Sequence, residues 1–107
     1  MTPYGQAWDL IQKYGDSGGA TGLKKLLLSL FDPDQAFGIR ECTVSFDSKL
    51  QELAIKVITH FFSVGEDEEL RNIGRHIIKE NRRLYEIGMA GEKVKFQYAN
   101  ESAPEEN

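Results

Sequence analysis

The chain lacks the residues that mark several common classes of protein. It has a single cysteine, Cys42, so an intramolecular disulfide is excluded, and one unpaired thiol fits a reducing compartment. Its apolar runs are only a few residues long, whereas a membrane-spanning helix needs about 20. The first residues, MTPYGQAWDLIQKYG, have neither the basic nor the apolar segment of a secretory signal. We therefore expect a cytoplasmic protein that does not associate with membranes.

Motifs for a nucleotide, a metal or a catalytic triad are also lacking. The five residues Gly15-Asp16-Ser17-Gly18-Gly19 do occur around the nucleophilic serine of trypsin-like proteases. That serine works only beside a histidine and an aspartate, on a double β-barrel roughly twice this length. Here His60 and His76 lie in segments with helical periodicity. The pattern instead favours a turn, in which Gly15 ends one helix and Asp16 or Ser17 caps the next.

The remaining candidates for chemistry are isolated residues. His76 and Glu80 share a helix face, but two ligands do not make a zinc site, which needs at least three protein ligands. We interpret His60 and His76 as partly exposed structural residues, and Cys42 as a small buried apolar residue. The sequence thus predicts no metal, no cofactor and no enzymatic activity, although it leaves open whether Cys42, His60 or His76 has a catalytic role.

Composition indicates one folded domain. The 107 residues are 40% hydrophobic and 28% charged, which is typical of a globular chain with its own core. The net charge of −4 is uneven, because residues 100–107 contain three glutamates and no base. We expect a single α-rich domain over residues 1–99 and a disordered acidic tail over 100–107.

Apolar residues recur at helical spacing along most of the chain. Thr2-Pro3 is a favourable helix start, and Asp32-Pro33 a favourable stop. In the last periodic segment Gly74, Asn81 and Gly88 follow one line of the helix, so Gly74 would allow close approach and Asn81 would need a hydrogen-bond partner. The periodicity predicts four helices, near residues 3–14, 17–31, 47–64 and 66–88.

Two other segments are candidate strands. Residues 93–98, KVKFQY, alternate polar and apolar side chains and predict a half-buried strand. Residues 39–44 fit either a short strand or an ordered loop. The fold class is therefore mainly α, or α+β if the two segments pair as a small antiparallel ribbon.

The clearest surface feature is a basic ridge of four residues. From Arg71 to Lys95 there are seven bases and three acids. On one continuous helix these four bases fall close together: Arg71, Arg75, Lys79 and Arg82. Aligned bases suit an acidic protein surface or a phosphate backbone, and the alternative is a solvated helix face with local ion pairs.

A second set of residues is an alternative patch for a partner or for self-association. Leu28 and Ile55 lie off the apolar stripes of their predicted helices, and exposed apolar residues of this kind can mark contact surfaces. Trp8 and Phe37 complete the set.

We interpret the chain as a small non-enzymatic binding module. A compact acidic domain suits a regulatory or inhibitory protein that docks on a larger protein partner, such as the accessory proteins of phages and mobile elements. The alternative is a nucleic-acid-binding regulator that uses the basic ridge.

Overall fold

The protein is mainly helical. The computed structural model describes residues 1–105, which contain six helices and no strand, and 79% of the chain is helical. In chain order the helices are α1 (Pro3–Tyr14), α2 (Gly18–Phe31), α3 (Ile39–Thr43), α4 (Ser48–Val64), α5 (Glu68–Glu80) and α6 (Arg82–Glu105).

Short polar side chains begin four of the helices, as the sequence patterns suggest. The side chains of Thr2, Ser17, Asp47 and Asp67 each accept a hydrogen bond from a backbone N–H in the first turn. Ser17 caps α2 by accepting from the N–H of Ala20 at 3.2 Å, and Gly15 ends α1 with φ +58°. The interpretation of GDSGG as a turn is therefore confirmed.

The prediction of a single helix over residues 66–88 is wrong, because the helix is interrupted at Asn81. This residue leaves the helical region, with φ −133° and ψ 57°. Its side-chain amide donates to the carbonyl of Ile77 at 3.1 Å, and its own N–H donates to the same carbonyl at 2.8 Å. Asparagine side chains commonly compete with the helix for backbone hydrogen bonds in this way, so α5 ends at Glu80 and a separate helix, α6, begins at Arg82.

Both candidate strands are also wrong. Residues 39–44 form mostly α3, which buries Cys42 and leaves Ile39 and Val44 exposed. Residues 93–98 lie within α6. A strand needs a partner to satisfy its backbone, and a helix satisfies the same groups within itself. With residues 39–44 helical, the second segment has no neighbour to pair with, and its alternation of side chains does not decide the structure.

Helix α2 lies at the centre of the core and contacts α1, α3, α4 and α5. Its residues Leu23, Leu27 and Leu28 are completely buried. The core also contains fully buried side chains from the surrounding helices, among them Tyr4, Val57, Leu70 and Ile77.

Glycines permit the closest helix contacts. A side chain at Gly22 would collide with the carbonyl of Cys42, so this glycine lets α3 lie directly on α2. A Cβ at Gly74 would come within 2.5 Å of the Phe31 ring, which confirms the close approach predicted at this position. Gly88 leaves room in the same way for the buried side chain of Gln35.

The second half of α6 projects away from the core. Its start is held by Gly88, whose carbonyl accepts from the N–H of Ala36 at 3.1 Å, and by Gly91, which packs on Ala36. From Lys93 to Ala99, every side chain that the structure describes is exposed. The chain is accordingly elongated, with extents of 52 × 29 × 26 Å and a radius of gyration of 15.1 Å. A compact domain of this length has a radius of gyration of about 13 Å.

The division into a domain over 1–99 and a tail over 100–107 stays a prediction. The backbone of residues 100–105 belongs to α6, and residues 106–107 lie outside the described residues. Within the described part of the chain, every helix is too short or too polar to cross a membrane.

A buried lysine connects α2 to the break between α5 and α6. The side chain of Lys24 is only 7% exposed. Its ammonium donates to Oδ1 of Asn81 at 3.0 Å and lies 3.6 Å from a carboxylate oxygen of Asp16. It therefore faces the C-terminal end of α5, where the helix dipole favours a cation. The hydrogen-bond partner predicted for Asn81 is thus present.

We expect Asn81→Ala to lower the free energy of unfolding by about 1–3 kcal/mol, because it leaves the buried ammonium of Lys24 without its acceptor. Urea denaturation followed by circular dichroism measures this change. Asn72→Ala is the matched control, since Asn72 is exposed and bonds only at the surface of α5, to Arg75 and His76. Equal stability of the Asn81→Ala variant and the unmodified chain would contradict a stabilising role for this bond.

Candidate functional site

The structure divides the predicted basic ridge between two helices. Arg71, Arg75 and Lys79 share one side of α5, whereas Arg82 begins α6 beyond the break at Asn81. Arg75, Lys79 and Arg82 are exposed, and Arg71 is partly exposed. The four bases therefore do not follow the single helical line on which the prediction relied, although all of them reach the surface.

Local acids compensate part of this positive charge. Arg71 lies 3.1 Å from Glu66 and 3.8 Å from Glu68, and Arg82 lies 3.4 Å from Glu86. Such exposed pairs contribute little to stability, but they lower the net charge that a polyanion would meet. Arg75 bonds only to the neutral side chain of Asn72, at 3.1 Å. Of the three arginines, Arg75 therefore keeps its positive charge most fully available.

The alternative patch of Trp8, Leu28, Phe37 and Ile55 loses Leu28, and the role of the other three residues stays a prediction. Leu28 is completely buried, because α2 is surrounded by helices on several sides and a residue off its main stripe meets a second neighbour. Trp8 and Phe37 are partly buried against the core. Only Ile55 is open to solvent, at 64% exposure.

Helix α6 exposes several large apolar side chains. Phe96 and Tyr98 are both 67% exposed, and Val94 is 48% exposed. Lys93, Phe96 and Met89 surround a shallow depression on this helix. The sequence signal for this surface was the same KVKFQY segment that predicted a strand. Its apolar residues were identified, but not the helix that displays them.

A second cluster forms where the chain turns from α4 into α5. Gly65 reverses the chain with φ +68°, so Asp67 and Glu69 at the start of α5 come back alongside His60 on α4. One ligating atom from each of His60, Asp67 and Glu69 can be chosen so that all three lie within 4.8 Å of one another. No motif in the sequence predicts this cluster, because the three residues meet only through the turn at Gly65.

Tyr4 of α1 closes the cluster from the core side. Its hydroxyl donates to the carbonyl of Gly65 at 2.9 Å, and its ring meets His60 edge to face, with 4.7 Å between centroids. Burial, followed by the charges of Asp67 and Glu69, raises the pKa of Tyr4 to about 12. Tyr4 is therefore a neutral hydrogen-bond donor that holds the turn, and not a proton-transfer group near neutral pH.

Ser17 of the GDSGG turn and His76 lie at different places on the surface. Ser17 lines a groove with Tyr14, Ser45 and Asp47, and no histidine lies among the residues that form it. His76 is exposed on α5, where Nδ1 lies 2.8 Å from the carbonyl of Asn72 and the ring lies beside Trp8. The groove thus offers no imidazole that could activate Ser17 as a nucleophile.

Cys42 has the environment of an unreactive thiol. It is 2% exposed, and burial, with a smaller contribution from Glu41, raises its pKa to about 11. A thiolate is the reactive form of cysteine, so this shift reduces nucleophilicity at neutral pH.

We expect Cys42 to resist Ellman's reagent in the folded protein and to react once urea unfolds the chain. Burial limits access, and the raised pKa keeps the thiol protonated at pH 8. Absorbance at 412 nm follows the reaction, with free glutathione as the reference thiol. Reaction of the folded protein as fast as glutathione would contradict this assignment and reopen a catalytic role for Cys42.

Comparison with known proteins finds no relative of this chain. No family model matches the chain, and neither the curated proteins nor the solved structures include a significant match.

Proposed function

We propose that the chain is a non-enzymatic, cytoplasmic binding module that regulates or inhibits a larger protein by docking through α6. The observation that carries this proposal is the exposure of three large apolar side chains, Val94, Phe96 and Tyr98, on the projecting half of the helix. Val94 and Tyr98 are four residues apart and share one face, and Phe96 lies on the opposite face, where it lines the depression with Met89. Large aromatic side chains in water are costly unless a partner covers them, and they are the residues that contribute most to binding energy at interfaces.

The length of α6 is compatible with helix-in-groove binding. Residues 92–105 extend about 21 Å at 1.5 Å per residue, which is long enough to fill a groove on a partner. A helical segment of this length is only marginally stable by itself in water, where isolated helices need about 12–15 residues or more. Covering its apolar side chains would therefore stabilise the helix as well as the complex.

The charge of the surrounding surface indicates the chemistry of the partner. Lys93 borders the depression beside Phe96, and Arg82 and Arg83 lie exposed at the start of the same helix. A groove that is apolar at its floor and acidic at its rim would complement this arrangement. The ion pairs of Arg71 and Arg82 with neighbouring glutamates favour such a protein surface over the dense charge of a nucleic acid.

We expect Phe96→Asp to abolish capture of the partner, because it places a charge in the apolar interface. Affinity purification from native lysate with quantitative mass spectrometry compares the unmodified chain, Phe96→Asp and Ile55→Asp. Ile55 is the matched control, since it is an apolar residue of α4 with 64% exposure against 67% for Phe96. A partner purified from this screen should bind Phe96→Asp roughly tenfold or more weakly by calorimetry.

Two results would contradict docking through α6. The first is a partner that the Phe96→Asp and Ile55→Asp variants retain equally. The second is a dimer of the unmodified chain, measured by light scattering, that Phe96→Asp converts to a monomer. In that case a second copy of the chain covers α6, and the larger partner has no surface to bind there.

The basic ridge of Arg71, Arg75, Lys79 and Arg82 is proposed as the second part of the interface. We expect the double variant Arg75→Glu and Arg82→Glu to keep the fold, because exposed charges contribute little to stability. It should slow association with the partner, since charges at the rim of an interface steer encounter. Surface plasmon resonance measures the association rate. The control is Lys13→Glu with Arg40→Glu, which changes the net charge equally at two other exposed bases.

Salt dependence separates the protein partner from the alternative, a nucleic acid. Contacts with a duplex make log affinity fall by about 0.9 per neutralised phosphate for each unit of log salt. We expect a shallow slope for the captured protein and no salt-sensitive binding to a labelled duplex in fluorescence anisotropy. Steep salt-dependent binding to the duplex that the double variant loses would favour the nucleic-acid regulator instead. If the double variant associates with the partner at an unchanged rate, the basic ridge is a solvated helix face with no role in binding.

A further inference from the structure

The turn between α4 and α5 brings together three side chains that commonly bind metals. His60 comes from the last two turns of α4, Asp67 caps α5, and Glu69 lies in the first turn of α5. Their ligating atoms lie within 4.8 Å of one another, and all three residues are partly buried. Two turns of helix and a glycine with φ +68° hold them, so the grouping is a consequence of the fold and not of flexible surface side chains.

The imidazole of His60 has an unsatisfied polar atom on its buried side. Nε2 of His60 is shielded from solvent and has no hydrogen-bond partner among the described residues. Buried nitrogens in folded proteins nearly always have a partner, and an exception calls for an explanation such as an ion. The ring is oriented by its edge-to-face contact with Tyr4, with an interplanar angle of 82°.

Each of the two carboxylates keeps an oxygen for another ligand. Asp67 accepts from the N–H of Leu70 through Oδ1, at 2.9 Å, and Glu69 accepts from the hydroxyl of Thr2 through Oε1, at 2.5 Å. No hydrogen bond within the described residues uses the second oxygen of either group. Thr2 and Leu70 therefore orient the carboxylates as outer hydrogen bonds orient the ligands of metal sites.

The nearby base is paired with other acids. Arg71 forms its ion pairs with Glu66 and Glu68, the two acids of this segment that are outside the cluster. Within the described part of the chain, Asp67 and Glu69 form no ion pair with a lysine or an arginine. The N-terminus of α5 carries roughly half a positive charge, which is less than the negative charge that two neighbouring carboxylates bring to the same place. The net field at the cluster therefore attracts a cation.

We propose that His60, Asp67 and Glu69 bind a divalent transition-metal ion. One imidazole nitrogen and two carboxylate oxygens are ligands that Zn²⁺ accepts at about 2.0–2.2 Å, with water at the remaining positions. An imidazole ligand favours such an ion over Mg²⁺ or Ca²⁺, which prefer oxygen ligands alone. Ligands of one tetrahedral ion lie about 3.4 Å apart, so the cluster must contract slightly, and rotation of the long side chain of Glu69 provides this. The site is independent of docking through α6.

Calorimetric titration of the full chain with zinc chloride tests the site. We expect one bound ion per chain. His60→Gln and Glu69→Gln should each weaken binding by roughly tenfold or more, since each variant removes a ligand. The controls are His76→Gln and Glu68→Gln, which remove the same chemical groups from exposed positions of α5 and should leave the affinity within about twofold of the original. Circular dichroism without zinc shows whether each variant folds.

NMR identifies the ligand directly and does not depend on a variant that folds. In a chain with ¹⁵N-labelled histidine, zinc should shift a ring nitrogen of His60 and leave those of His76 unchanged. The proposal is overturned if the His60 resonances do not move. It is equally overturned if the folded Glu69→Gln variant binds zinc as tightly as the unmodified chain, or if the two control variants lose as much affinity as the ligand variants. Either pattern of affinities indicates adventitious binding at the acidic surface.

Discussion

The hydrogen bond between Lys24 and Asn81 is the interaction on which the shape of this protein depends. Burying a lysine in the centre of the core helix would be costly if its ammonium had no partner. Here the ammonium donates a hydrogen bond to the side chain of Asn81 and forms an ion pair with the carboxylate of Asp16. The same asparagine ends α5 by bonding the carbonyl of Ile77. The residue that accepts a hydrogen bond from the buried ammonium therefore also marks the point at which α5 ends and α6 begins.

Helix α5 links the two surfaces to which we assign roles. At its first turn, Asp67 and Glu69 meet His60 across the reversal at Gly65. At its last turn, Asn81 directs the chain into α6, whose outer half displays Val94, Phe96 and Tyr98. Acids at the start of a helix and a cation at its end both suit the helix dipole. At the first turn of α5, the acids that suit the dipole, Asp67 and Glu69, also belong to the candidate metal site. At its C-terminal end, the cation that suits the dipole is Lys24, which bonds to Asn81 at the break before α6.

Part of the fold follows from local patterns that tertiary contacts did not override. Helices α1, α2 and α4 were predicted nearly to the residue, because apolar stripes agree with capping residues such as Thr2 and Ser17. The protease-like motif was correctly assigned to a turn for the same reason. The proposed docking surface was identified only as a set of apolar residues, since an alternating segment with two lysines is compatible with either a strand or a helix. The basic ridge was identified by residue, but its alignment assumed a helix that does not continue through Asn81.

The sequence by itself determined that this chain is mainly helical, where most of its helices begin and end, and that Asn81 requires a partner. These properties depend on side chains that are close together along the chain, so they follow from local sequence patterns. The tertiary structure alone decided that Lys24 is that partner, that Leu28 is buried, that residues 39–43 and 93–98 are helical, and that His60 meets Asp67 and Glu69. Each of these depends on which helices pack together, because burial and charge are set by neighbours that are distant along the chain.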